Sequence, residues 1–176
     1  LGVSYFKHGS IQTVNQYKES PFNVKFDSTH LQLASVEFFL TPIKNNQFLL
    51  SFECEDQNTY NLQTELKNNK LQASLKRKEI YKFGDTIETD YYSFTIEKTE
   101  FFTDKSIEEE TEYSFILHSL NNLASKYTKS LKVETAAKDG TVLRLTMEGH
   151  THKKIVDYLN TLAKLYILQG LNHKNM

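Results

Sequence analysis

The chain has 176 residues, 39% hydrophobic and 24% charged, with a formal net charge of -1 and a pI near 6.7. This describes a folded globular chain and excludes low-complexity disorder; the near-neutral balance argues against nucleic acid, which needs a clustered basic face. Twelve Phe and ten Tyr supply the bulky apolar material, and there is no Trp.

In chain order, "GVSYFKHGS" and "IQTVNQYKESP" supply one strand and a helical or irregular link. "FNVKF" at 22 to 26 sets Phe22, Val24 and Phe26 against Asn23 and Lys25, the period-two pattern of a half-buried strand. "SVEFFLT" at 35 to 41 and "QFLLSFE" at 47 to 53 repeat it, and Pro42 with Asn45-Asn46 between them predicts a hairpin. "YYSFTIEK" at 91 to 98 follows a glycine turn at Gly84. Several short strands with turn signals point to an antiparallel sandwich or small barrel over about residues 22 to 100.

The pattern then changes. "TDKSIEEETEYS" at 103 to 114 reads as a charged connection. "SFILHSLNNLASKYTKSL" at 114 to 131 predicts a helix, since Leu117, Leu120, Leu123, Ala124 and Tyr127 fall at spacings of three and four. "KVETAAKDG" and "TVLRLTMEG" predict two strands joined by an Asp139-Gly140 turn. A last helix is expected from Thr151 to Leu171, about 31 Å long. Its core-facing stripe carries Ile155, Leu159, Leu162, Tyr166 and Gln169, widened by Val156, Ala163 and Ile167. The fold class expected is α+β, with a discontinuous base at 1–27 and 101–176 interrupted by a β-rich insertion at 28–100.

Chemistry-bearing motifs are few. His150 and His152 in "HTH" would bind zinc only if His118 or an acidic residue converged on them, and no third ligand stands at diagnostic spacing. "EEETE" at 108 to 112 lacks the glycine and spaced ligands of a calcium loop and reads as a solvated linker. Cys54 is single, so no disulfide framework exists, and no basic neighbour in sequence activates its thiol. "LKRKEIYK" at 75 to 82 is broken by Glu79 and reads as a solvated strand edge or loop. Tyr91-Tyr92 reads as strand residues rather than a sugar platform. There is no nucleotide-binding loop, no nucleophile elbow and no zinc-protease motif. Catalytic, cofactor-binding and metal-binding residues are therefore all expected to be none. No stretch reaches the roughly 18 to 20 apolar residues of a membrane span, and residues 1 to 6 lack a signal peptide's basic start. The sequence opens without Met and closes inside a helix-forming run, so an excised or processed piece of a longer protein is expected.

Three segments carry a family resemblance: "LASKYTKSLKVE" at 123 to 134, "GTVLRLTMEG" at 140 to 149, and "IVDYLNTLAKLYI" at 155 to 167. They resemble the periplasmic domain of bacterial polysaccharide co-polymerases, the Wzz/Wzc-type chain-length determinants. Asp157, Leu159, Asn160, Leu162, Tyr166 and Ile167 match that family's helix, and "LNHKN" at 171 to 175 is similar to its continuation. "GVSYF" at 2 to 6 and "YKESPFNV" at 17 to 24 look like the segment leaving the first membrane span, and "KFGDTIE" at 82 to 88 is similar to Bacteroidetes versions. The family's Asn-Pro or Asp-Pro before the last helix is replaced by Gly149-His150-Thr151. The resemblance implies a Wzz-like α/β base of strands and packed helices. It also implies a place in the periplasm of a Gram-negative bacterium, anchored in the inner membrane through spans outside this chain. It further implies self-association into a ring-like homo-oligomer that regulates the length and export of O-antigen, capsule or exopolysaccharide without catalysis, with polysaccharide or its polymerase as partner. In many members a cytoplasmic tyrosine autokinase follows in the parent protein. The rival reading is an independent carbohydrate- or protein-binding β-sandwich module.

Overall fold

The computed structural model describes residues 2–61, 63–64, 67–70, 74–136 and 142–174. Two compact units divide the chain, Leu1–Leu123 and Ala124–Met176. In the first unit β1 (Gly2–His8), β2 (Thr13–Asn15), β3 (Phe22–Phe26) and β4 (Leu31–Leu33) lead into β5 (Glu37–Ile43) and β6 (Gln47–Cys54). Then come β7 (Asn58–Asn61), β8 (Lys67–Lys70), β9 (Leu75–Lys82), β10 (Thr86–Thr89), β11 (Tyr92–Lys98), α1 (Lys105–Glu108) and β12 (Tyr113–His118). α2 (Leu120–Ser130) carries the unit boundary, and β13 (Leu131–Thr135), β14 (Leu143–Met147) and α3 (His152–Lys174) complete the second unit.

The expected α+β class, with a Wzz-like base of packed helices, is corrected by this architecture: the protein is mostly β, 46% strand and 23% helix, in several antiparallel sheets. A six-stranded sheet runs β2-β1-β12-β5-β6-β9, beside three-stranded sheets β10-β11-β3 and β4-β7-β8 and the pair β13-β14. Residues 1–27 and 28–100, assigned from sequence to base and insertion, contribute strands to the same six-stranded sheet.

The largest departure is at 113–118. Tyr113, Phe115 and Leu117 are buried and alternate with Ser114, Ile116 and His118, so the segment is a strand pairing with β1 and β5. The spacing Leu117, Leu120, Leu123 satisfies a helix on paper. Alternation over six residues satisfies a central strand, and two waiting neighbours decide the outcome. The helix begins only at Leu120. The β5–β6 hairpin forms as its turn chemistry requires, with Asn45 and Asn46 both at positive φ (61° and 58°). Pro42 lies within β5, opposite Phe48, rather than in the turn.

The core lies between the inner face of the six-stranded sheet and the β3-β11 sheet. Phe38 stacks on Phe115 at 5.0 Å and meets Phe52, Tyr92 and Phe94 at 4.7, 5.7 and 5.4 Å. Phe22 approaches Tyr113 and Phe115 edge-on. Each such ring removed from water stabilises by about 1.5–3 kcal/mol, and this aromatic density lets the core form without Trp. One polar side chain is sealed inside. Gln32 is fully buried, its Nε2 donates to the carbonyls of Asp27 and Ser93 (2.9 and 2.7 Å), and its Oε1 accepts from the Ser93 amide at 3.4 Å. Its amide stands in for a missing piece of backbone between β3 and β11.

Candidate functional site

The residues that sequence reading singled out do not converge. His118, at the end of β12, meets Ser4 Oγ through Nε2 at 3.0 Å. His150 lies exposed in the bend before α3, and His152 is the first residue of that helix, also exposed. Among the described residues there is no group of three or more His, Cys, Asp or Glu side chains arranged to hold a metal ion. The charged connection at 103–114 contains α1. Glu109 closes that helix and pairs with Lys105 at 3.3 Å, and Glu110 takes a positive φ of 48°. Tyr92 is buried among Phe38, Phe52 and Phe94, so only Tyr91 of the tyrosine pair is half-exposed. Cys54 is buried at the end of β6, where burial pushes its thiol pKa up and makes it a poor nucleophile. "LKRKEIYK" is β9, the outermost strand of the six-stranded sheet.

Sequence reading missed one polar cluster. On the outer face of the six-stranded sheet, Ser114 Oγ donates to Glu37 Oε1 at 2.6 Å and lies 2.8 Å from His8 Nε2. His8 Nδ1 lies 3.1 Å from Thr13 Oγ1, and its Nε2 is 3.7 Å from Glu37 Oε1. Serine, histidine and glutamate in contact invite a hydrolase reading, but the geometry opposes it. A nucleophilic serine gives its proton to histidine and presents Oγ to substrate. Ser114 is fully buried, and its proton is committed to the carboxylate, so His8 Nε2 must donate to Ser114 rather than accept from it. The cluster ties β1, β2, β5 and β12 together. Its members are far apart in the chain, so no local motif announces it.

The second unit has a different character: no described side chain from 124 to 136 or from 142 to 171 is buried. Tyr127 of α2 stacks on Tyr158 of α3 at 4.5 Å, and β13 pairs with β14 so that Val133 faces Leu145. Ile155, Tyr158, Leu159, Leu162 and Ala163 are half-buried along α3. The expected stripe stops there. Val156 is exposed, as are Leu165, Tyr166 (69%), Ile167 (60%), Leu168 and Leu171. These last five point around most of the helix circumference, with Lys164 the one charged residue between Asp157 and His173. A helix apolar on all sides is ordinarily enclosed by other protein, and an apolar surface left in water marks an interaction site. Among the described residues, no helix is long and apolar enough to cross a membrane.

A scan against protein-family models and a search of curated proteins gave no match to this chain.

Proposed function

We propose that the chain is the periplasmic portion of an inner-membrane polysaccharide co-polymerase of a Gram-negative bacterium. It regulates the length and export of O-antigen, capsule or exopolysaccharide chains, and it works through homo-oligomeric assembly rather than catalysis. The β-rich fold lends this reading no support. What supports it is the resemblance of "IVDYLNTLAKLYI" to the family helix, together with one structural observation that carries the argument. That segment lies within the continuous helix α3, whose second half, Leu165 to Leu171, leaves large apolar side chains exposed, as an element built for assembly does.

The test is genetic. Deleting the gene and comparing surface polysaccharide on a gel with that of the complemented strain is expected to abolish the preferred chain length. An unchanged length distribution rejects the proposal. The alternative, an independent glycan- or protein-binding module, draws on the first unit having a complete core of its own. It predicts ligand binding by the chain with no change in polysaccharide length on deletion.

A further inference from the structure

The outer face of β5, β6 and β9 carries an arrangement that the assembly role does not use. On β9, Lys76, Lys78, Ile80 and Lys82 alternate with Leu75 and Tyr81, which pack against the core. The lysines therefore stand on the side of the sheet away from the core. Lys76 is occupied by Glu53 at 2.7 Å. No ion pair among the described residues engages Lys78 or Lys82, which lie about 13 Å apart along the strand. The register sets what lies inboard of them. Lys78 stands opposite Ser51 of β6, which stands opposite Phe39 of β5; Lys82 stands opposite Gln47. Between these rows Ile80, 58% exposed, stands opposite Leu49. Moving inward from the edge, at about 4.8 Å per strand, a ligand meets ammonium groups, then a hydroxyl and an amide, then a half-exposed aromatic ring. No acidic side chain stands in these rows.

We infer that this face binds an anionic polysaccharide: the lysines take the sugar carboxylates or sulfates, Ser51 and Gln47 bond the hydroxyls, and Phe39 lies against a ring. The inference rests on the proposed role in polysaccharide assembly and names the class of polymer. Lysines on an edge strand also discourage strand-to-strand aggregation. That duty needs charge alone, and it predicts neither selectivity for sugar polymers nor any involvement of Ser51 and Phe39.

The test uses the chain itself, titrated with polygalacturonate, dextran sulfate, neutral dextran and polyglutamate and followed by amide chemical shifts. The expected result is salt-sensitive binding to one or both anionic sugars, with shifts centred on Phe39, Leu49, Ser51 and Lys78. Dextran does not bind, and polyglutamate binds more weakly. Polygalacturonate without dextran sulfate identifies carboxylate as the recognised group, and the converse identifies sulfate. Lys78→Ser with Lys82→Ser lowers that affinity about tenfold, while Lys25→Ser, on another sheet, does not. The inference is overturned if no anionic sugar binds, if polyglutamate or dextran binds equally well, or if the double variant changes only self-association. A strain whose chain length responds to gene deletion while its protein binds no anionic sugar rejects this inference and leaves the proposed function standing.

Discussion

Replacing Gln32 should destabilise the first unit measurably, although it removes no ring from the core. The side chain is fully buried and makes three bonds to backbone groups, at 2.7, 2.9 and 3.4 Å. Gln32→Ala strands the Ser93 amide in a dry site and takes one of two bonds from each carbonyl, which keep the amides of Asp27 (to Ser93, 3.1 Å) and His30 (to Asp27, 3.4 Å). With roughly 1–3 kcal/mol for a buried group left unpaired, the loss is about 2 kcal/mol. Gln32→Glu sharpens the test, because it keeps the shape and replaces the donor with a carboxylate facing two carbonyl oxygens. Its acid form is favoured in the fold, so its pKa is raised above about 4.3. Such a group adds stability below its unfolded pKa and loses it as pH rises. Urea unfolding followed by circular dichroism should therefore show Gln32→Glu far below wild type at neutral pH, with the gap narrowing in acid. A Gln32→Ala variant within about 0.5 kcal/mol of wild type, or a Gln32→Glu gap that ignores pH, refutes the reasoning.

Two further predictions concern the same unit. Phe38→Ala removes a ring in contact with four others and should cost about 4–5 kcal/mol in the same assay, the upper end for Phe truncation because ring-pair energies are lost with the burial. Of the ten tyrosines, Tyr5, Tyr92 and Tyr113 have raised pKa values because of burial, and Tyr81 because of burial and its hydrogen bond to Glu79. Since the neutral phenols are favoured in the fold, their contribution is complete below about pH 10 and is lost as pH rises further. Ultraviolet titration should show a late-ionising class that becomes ordinary in urea.

What the sequence made legible was whatever two neighbours along the chain decide. Phe22, Val24 and Phe26 alternate cleanly and form β3; Phe48, Leu50 and Phe52 form β6; Asn45-Asn46 makes the turn between β5 and β6. Segment 113–118 was not legible, because Leu117 fits both a helical spacing with Leu120 and a strand alternation with Phe115, and only pairing with β1 and β5 separates the two. Long-range partners left no signal. Gln32 meets Ser93 across 61 positions, and Ser114 meets Glu37 across 77. The stripe on α3 was legible as far as Leu162; Tyr166 and Ile167 continue the pattern, but nothing in the second unit covers them. The predicted Asp139-Gly140 turn lies outside the described residues.

The most direct test of the account joins α3 to polysaccharide length. A strain carrying Leu165→Glu and Ile167→Glu in the chromosomal gene places two charges where exposed apolar side chains stand in the single chain. Both side chains are already in water, so folding should be nearly unaffected, which the level of soluble protein checks. The account predicts that the protein accumulates normally while the polysaccharide loses its preferred length. Normal protein with an unchanged length distribution contradicts it.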